Sequence, residues 1–178
     1  MSKSEVQKKQ TMEQEGKKRE SDTCQARGLP KSWVDFVSQW PWDWFCHLTY
    51  RDNPFTDEMM HPEAAIKIYD KWIHTLNREI FGSRYWKRPS DGVIWTRARE
   101  YQYRGAIHFH CLIGRVPDCV GRLKYMDLHD KLGGYARIQP YKGKGCGAEE
   151  YLCKSAYAFK KGDIDVGGPL KYLQNSRP

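Results

Sequence analysis

The sequence predicts an α/β (α+β) domain with a central antiparallel sheet of about five strands and helices packed mainly on one face. Segments with the two-residue alternation of strands are interleaved with segments that repeat apolar residues at helical spacing. A short connection at residues 103–105 joins two strands as a hairpin, and Gly105 suits its last position. Strands joined this way run antiparallel.

Composition separates a polar tail from the rest of the chain. Residues 1–28 contain almost no apolar side chains, so we predict a disordered basic and polar tail, followed by one domain over residues 29–178. The chain shows neither a secretory signal nor a membrane span, and we expect a cytoplasmic protein. Its formal net charge of +8 and 13% aromatic content favour a nucleic-acid partner.

The first half of the domain contains three predicted elements. Residues 32–37 form a short helical turn, which Pro41 prevents from continuing. Residues 44–50 form a strand rich in aromatic residues. A long amphipathic helix follows residue 62 and ends at Gly82. Its apolar stripe consists of Ala65, Ile68, Tyr69, Trp72, Ile73, Leu76 and Ile80.

The second half adds three further strands and two helices. Residues 92–101 form a strand that pairs with residues 105–114. A strand follows at 135–140 after a helix over 122–131, whose expected buried residues are Leu123, Met126, Leu128 and Leu132. The last elements are a helix over 148–159 and a short edge strand within 162–168. Taken in order, they indicate a ferredoxin/RRM-like arrangement.

The strand at residues 105–114 carries the most informative pattern. Its apolar side chains alternate with His108 and His110, which therefore share one face. Two imidazoles on one strand face can bind one divalent ion. If pairing is symmetric about Arg104, Glu100 lies opposite His108 on the neighbouring strand and completes a cluster of one carboxylate and two imidazoles.

Two classes of site are excluded. The six cysteines show no close-spaced pair, so neither a zinc site nor a disulfide framework is expected. The glycine-rich segment at residues 142–147 lacks the Gly-Lys-Ser/Thr ending of a triphosphate-binding loop.

The order of these motifs resembles that of the HUH endonucleases, in particular the single-tyrosine rolling-circle replication initiators (Rep proteins). The matching features are a strand ending at Tyr50, Glu100 before the His-Phe-His motif, and Tyr151-Leu-Cys-Lys154 downstream. The resemblance implies that His108, His110 and Glu100 bind Mg²⁺ or Mn²⁺. It also implies that Tyr151 is the nucleophile and Lys154 its electrostatic partner.

The chain departs from the family pattern in two places. Ser155 stands where many relatives have a second catalytic tyrosine, which indicates a single-tyrosine enzyme. Tyr157 begins a second Tyr-x-x-Lys motif, and Tyr151 is preferred as the nucleophile. His47 stands where Thr or a small residue is expected. It shares a strand face with Thr49, which would bring it near the metal or the DNA, but the preferred interpretation is an ordinary polar residue on the sheet.

The resemblance implies metal-dependent nicking and joining of single-stranded DNA through a 5′-phosphotyrosine, at the hairpin origin of a plasmid or virus. A host helicase or polymerase is a further expected partner, and no membrane is involved. The rival hypotheses are a single-tyrosine HUH transposase and a non-catalytic nucleic-acid-binding module. The expected DNA contacts are cations near the site: Arg97, Arg99, Arg104, Arg137, Lys142 and Lys144.

Overall fold

Five strands and five α-helices make up the described part of the chain. The structure is a computed structural model that describes residues 31–52, 59–102, 105–143, 147–158 and 164–174. The predicted tail at residues 1–28 lies outside this part. Numbered in chain order, the elements are α1 Lys31–Val37, β1 Trp44–Tyr50, α2 Pro62–Phe81, β2 Ile94–Tyr101, β3 Ile107–Gly114, α3 Arg122–Leu132, β4 Gly134–Pro140, α4 Ala148–Ala158, β5 Ile164–Gly167 and α5 Leu170–Gln174.

The strands form one sheet in the order β4-β1-β3-β2-β5, and all neighbours are antiparallel. The predicted fold class is confirmed. The chain follows a β1-α2-β2-β3-α3-β4 path, which is the ferredoxin-like pattern. The predicted edge strand is β5, and it lies beside β2.

One face of the sheet packs against α2 and α3. The apolar stripe of α2 is buried, as predicted, with Tyr69, Trp72 and Leu76 fully inaccessible to solvent. Indole Nε1 of Trp72 donates to the carbonyl oxygen of Tyr125 at 2.9 Å and so ties α2 to α3. Gly82 ends α2, with its N–H donating to the Arg78 carbonyl.

The opposite face is partly covered by α1 and α4. A second apolar cluster lies there, and it includes Val37, Trp42, Leu112 and Leu152. Leu170 at the start of α5 also packs against this cluster, so helices cover parts of both faces and the sheet is less one-sided than the sequence predicts. Several polar side chains lie on this face, beside the N-terminal turns of α4.

The burial of α3 agrees with the prediction at Met126, Leu128 and Leu132, which are partly buried against the core, and differs at Leu123. Leu123 is 74% exposed, whereas Tyr125 and His129 are fully buried. The buried face of this helix is thus centred on aromatic side chains, which a search for aliphatic spacing overlooks. No helix in the described ranges combines the length and apolar character needed to cross a membrane.

A matched pair of leucine substitutions tests this packing. Leu76→Ala should lower the free energy of unfolding by about 2–5 kcal/mol, because it opens a cavity between α2 and the sheet. Leu123→Ala should change it by no more than about 0.5 kcal/mol, because the side chain is already in solvent. Urea unfolding followed by tryptophan fluorescence measures both. Similar losses in the two variants would contradict the packing described.

Candidate metal centre

The register of the three central strands decides which polar side chains meet. β1 pairs with β3 so that His47 lies opposite His110 and Thr49 lies opposite His108. β2 pairs with β3 so that Glu100 lies opposite His108, which confirms the register predicted from the hairpin loop. Because strand side chains alternate between faces, all five project from the face opposite α2 and α3.

Three imidazoles form a group that can hold a metal ion. One ring nitrogen from each of His47, His108 and His110 lies within 4.8 Å of the other two. The Nδ1 atoms of His47 and His110 are 3.1 Å apart. Two nitrogens bound to one ion at about 2.0–2.1 Å would be separated by about 3.0–3.5 Å. The His47 and His110 nitrogens have this spacing, and the His108 nitrogen lies within 4.8 Å of both, so the three can act as ligands of one divalent ion.

Burial keeps these imidazoles neutral. It is the main cause that lowers the pKa of His108 to about 4 and the pKa of His110 to about 3, and neighbouring imidazoles lower both further. Burial and then the positive charge of Arg137 lower the pKa of His47. At neutral pH each ring therefore keeps an unshared nitrogen electron pair, which is the form that binds a metal.

Two hydrogen-bonding partners orient the rings. Glu100 Oε2 lies 2.6 Å from His110 Nε2, and Thr49 Oγ1 lies 2.7 Å from His108 Nδ1. When these ring nitrogens carry the protons, the other nitrogen of each ring is left free for a metal. Glu100 thus adjoins the imidazoles, as expected, in a position that suits an orienting group. Its direct ligation of a metal stays a prediction.

Tyr151 is the tyrosine that α4 brings to this group. Its ring centroid lies 4.8 Å from that of His110 and 6.0 Å from that of His47. The residue is 45% exposed, so a substrate can reach it. Partial burial, followed by the negative charge of Glu100, raises the pKa of Tyr151. Its hydroxyl is therefore protonated at neutral pH.

The remaining predictions on α4 concern Lys154 and Tyr157. Lys154 is exposed and follows Tyr151 by three residues on the helix, a spacing that puts both on neighbouring surface positions. Tyr157 belongs to α4, but its side chain lies outside the described part, as does that of Ser155. The contact with His110 supports Tyr151, and the choice against Tyr157 stays a prediction.

Two of the predicted DNA-contacting cations adjoin the site. Arg137 is exposed on β4 directly opposite His47 in the β1–β4 register. Lys142 is also exposed and lines a groove that Tyr151 shares. Two others, Arg104 and Lys144, lie outside the described residues.

The placement of Arg97 and Arg99 near the site is wrong. Both point to the face that carries α2, and Arg97 is only 5% exposed. The Arg97 guanidinium lies over the Phe109 ring and donates to Asp165 Oδ2 on β5 through Nη2 at 2.5 Å. Burial of this arginine is possible because β5 supplies a carboxylate and core rings accept the cation.

The structure places His47 in the group of imidazoles, which was the less favoured of the two interpretations from the sequence. Its interpretation as an ordinary polar residue does not fit its position between β3 and β4, within reach of both other imidazoles. Strand alternation already puts His47 and Thr49 on the same face of β1. Only the pairing of β1 with β3, which lie about 60 residues apart in the sequence, shows that this face carries His108 and His110.

Comparisons of the chain with protein-family models, with curated proteins and with solved structures gave no match. The geometry of the site therefore carries the functional argument that follows.

The lowered pKa values predict a loss of stability on acidification. An unfolded chain takes up protons on histidine near pH 6.5, but His108 and His110 in the folded chain do so only near pH 4 and 3. The unfolded state is therefore favoured as pH falls from 7 to 5, by roughly 1–2 kcal/mol per imidazole. Urea unfolding in EDTA measures this. A His110→Gln variant should lose less stability over the same range, and an equal loss would contradict the assignment.

Proposed function

We propose that this chain is a metal-dependent endonuclease of the HUH type that nicks and rejoins single-stranded DNA at the origin of a plasmid or virus. The observation that carries the proposal is the contact between the Tyr151 ring and His110, a member of the three-imidazole group. A nucleophile beside a metal-binding group is what phosphodiester transfer requires. The motif order along the sequence agrees with this assignment.

The proposed reaction is in-line attack by the Tyr151 hydroxyl oxygen on a backbone phosphorus. A bond forms between the tyrosine oxygen and phosphorus while the bond to the 3′ oxygen breaks, and the phenolic proton passes to that leaving oxygen. The products are a 5′-phosphotyrosine and a free 3′-hydroxyl. His47, His108 and His110 would hold a divalent ion, which would supply positive charge to draw electron density from the phosphoryl oxygens. Reversal of the step rejoins strands without ATP.

The residues around Tyr151 and the imidazoles have separate roles in the proposed reaction. Glu100 holds the His110 ring, but its charge also disfavours ionisation of Tyr151. A positive charge must offset this effect at the moment of attack, and Lys154 is the residue we propose for that role. Thr49 holds the His108 ring through its hydroxyl. Each ring is thereby fixed before substrate arrives, which lowers the reorganisation needed during the reaction.

The ligand chemistry favours Mn²⁺ over Mg²⁺. Mg²⁺ prefers oxygen ligands and gives up its water reluctantly. Mn²⁺ also binds oxygen ligands, but as a first-row transition ion it accepts nitrogen ligands more readily than Mg²⁺ does. The group consists of three imidazoles, and its nearest carboxylate is hydrogen-bonded to one of them. Mn²⁺ is therefore the ion we propose of the two.

The DNA partner is proposed from charge and exposed rings. The chain carries a formal net charge of +8. Arg137 and the 62% exposed ring of Tyr135 share the site's face on edge strand β4, because they pair with His47 and Thr49. Cations neutralise phosphates and rings stack on unpaired bases. A hairpin origin exposes such bases, a host polymerase would extend the freed 3′ end, and a host helicase would unwind the duplex.

Removal of the nucleophilic hydroxyl tests the reaction. Tyr151→Phe should abolish formation of a covalent protein–DNA adduct while leaving single-stranded DNA affinity within about twofold, since only one hydroxyl group is lost. Tyr135→Phe, another exposed tyrosine on the same face, should retain the adduct. Adducts are measured by denaturing gel and mass spectrometry after incubation with Mn²⁺ and origin-derived oligonucleotides. Tyr157→Phe in parallel separates the two candidate nucleophiles.

The outcomes separate the proposal from its rivals. Binding without any wild-type adduct would contradict the enzyme and favour a non-catalytic binding module. Adduct formation at transposon ends, with none at a hairpin replication origin, would favour the single-tyrosine transposase.

Metal affinity tests the role of His47. His47→Ala should weaken Mn²⁺ binding at least tenfold, because loss of a ligand costs more than loss of an outer-sphere partner, which costs about 10–100-fold. His74→Ala is the matched control, since that ring lies on α2 and is hydrogen-bonded to Tyr85 instead. Isothermal titration calorimetry measures both affinities. Unchanged affinity in His47→Ala would remove this residue from the metal centre.

A further inference from the structure

A groove beside the metal centre shares Tyr151 as a wall. It encloses about 270 Å³ and lies between β1, the end of β4 and the start of α4. Its lining includes Phe45 from β1 and Tyr141, which follows β4. The proposed reaction uses Tyr151 but none of the other groove residues, so the groove needs an explanation of its own.

The walls of this groove are aromatic and fixed in place. The Phe45 ring lies 6.2 Å from the Tyr151 ring at an interplanar angle of 74° and 4.5 Å from the ring of His47. Tyr141 is held at both ends, because its N–H donates to the Asp43 carbonyl at 2.8 Å and its hydroxyl donates to Glu149. Rigid rings around a narrow opening are suited to a flat, apolar-faced ligand.

The rim of the groove is polar and basic. Gln139 contributes an amide that can both donate and accept hydrogen bonds, and Lys142 contributes an exposed cation. An amide can pair with the edge of a nucleobase, and a lysine can neutralise the phosphate attached to it. Aromatic walls with an amide and a cation at the rim match the chemistry of a nucleotide.

We propose that this groove binds one unpaired nucleobase of the DNA strand that Tyr151 cleaves, adjacent to the scissile phosphate. The inference rests on the proposed function, because Tyr151 is both the nucleophile and the wall of the groove. A base seated against Phe45 and Tyr141 fixes the position of its own phosphate relative to the tyrosine oxygen. Gln139 then gives the site a preference among bases, and the groove contributes to recognition of the cleavage site.

The test separates binding of bases from binding of the backbone. The probes are the 12-residue oligonucleotides dA12, dC12 and dT12 and a 12-residue abasic strand with the same charge. Binding is measured with the full-length Tyr151→Phe variant in EDTA, so that the DNA is not cleaved. Fluorescence anisotropy gives the Kd for each strand. At least one base-containing strand should bind about tenfold or more tighter than the abasic strand, since stacking of one base is worth about 5–150-fold.

Groove variants should reduce this difference selectively. Phe45→Leu and Gln139→Ala should each lower the affinity for the preferred strand by about fivefold or more and leave the abasic affinity unchanged. Gln139→Ala covers the case in which Phe45→Leu disturbs the packing of β1. Trp86→Leu is the matched control, because this 59% exposed ring lies outside the groove and should change neither affinity.

Three results would overturn the inference: equal affinities for abasic and base-containing strands, equal losses on both in the groove variants, or no loss in them. Adduct formation by protein with native Tyr151 distinguishes the inference from the proposed function. Adducts with no groove effect would leave the nickase standing without this base site. A selective groove effect without adducts would support base binding in the groove but contradict the nickase and the position of that base beside a scissile phosphate.

Discussion

The pairing register of β1 and β2 on β3 is the constraint on which the site depends. Strand side chains alternate, so a slip of one residue in either pairing would turn the polar side chains of that strand into the core. Cys46 and Cys111 lie opposite each other and are fully buried, and Phe109 is buried beside them. The core on one face thus fixes the register, and the register assembles the imidazoles on the other.

Collecting three imidazoles in this position opposes folding unless their polar atoms are satisfied. Burial disfavours protonation of each ring, and a neutral ring still needs partners for its N–H. Glu100 and Thr49 provide them for His110 and His108. The ring nitrogens that carry no proton then have unshared electron pairs close to one another. A divalent cation bound between them would stabilise this arrangement. The same group that costs folding free energy is therefore the natural place for a metal.

One arginine side chain is buried on one face of the sheet, and another is exposed on the opposite face. On the α2 face, Arg97 is buried over aromatic rings, and its pKa is raised by its hydrogen bond to Asp165 despite the opposing effect of burial. It anchors β5 to the sheet and is removed from solvent. On the site's face, Arg137 stays exposed beside His47. The sequence around each arginine does not show which one is buried and which one is exposed. That depends on the face of the sheet to which the side chain points.

The sequence predicts the positions of helices and strands and the pairing of strands joined by a short loop. The bounds of β1 and α2, the hairpin register that sets Glu100 opposite His108, and the position of Tyr151 on α4 follow from periodicity and loop length. The rest depends on contacts between distant segments. His47 joins the site through β1–β3 pairing, and Arg97 is buried through its partner Asp165 on β5, which is 68 residues further along the chain. Such pairings leave no signal in any single window of the chain.

Anomalous diffraction from crystals of the full chain soaked in Mn²⁺ would locate the ion without relying on catalysis. We expect one strong peak bound by ring nitrogens of His47, His108 and His110, next to the Tyr151 ring. A peak elsewhere, or none at concentrations that saturate binding in solution, would contradict the metal centre.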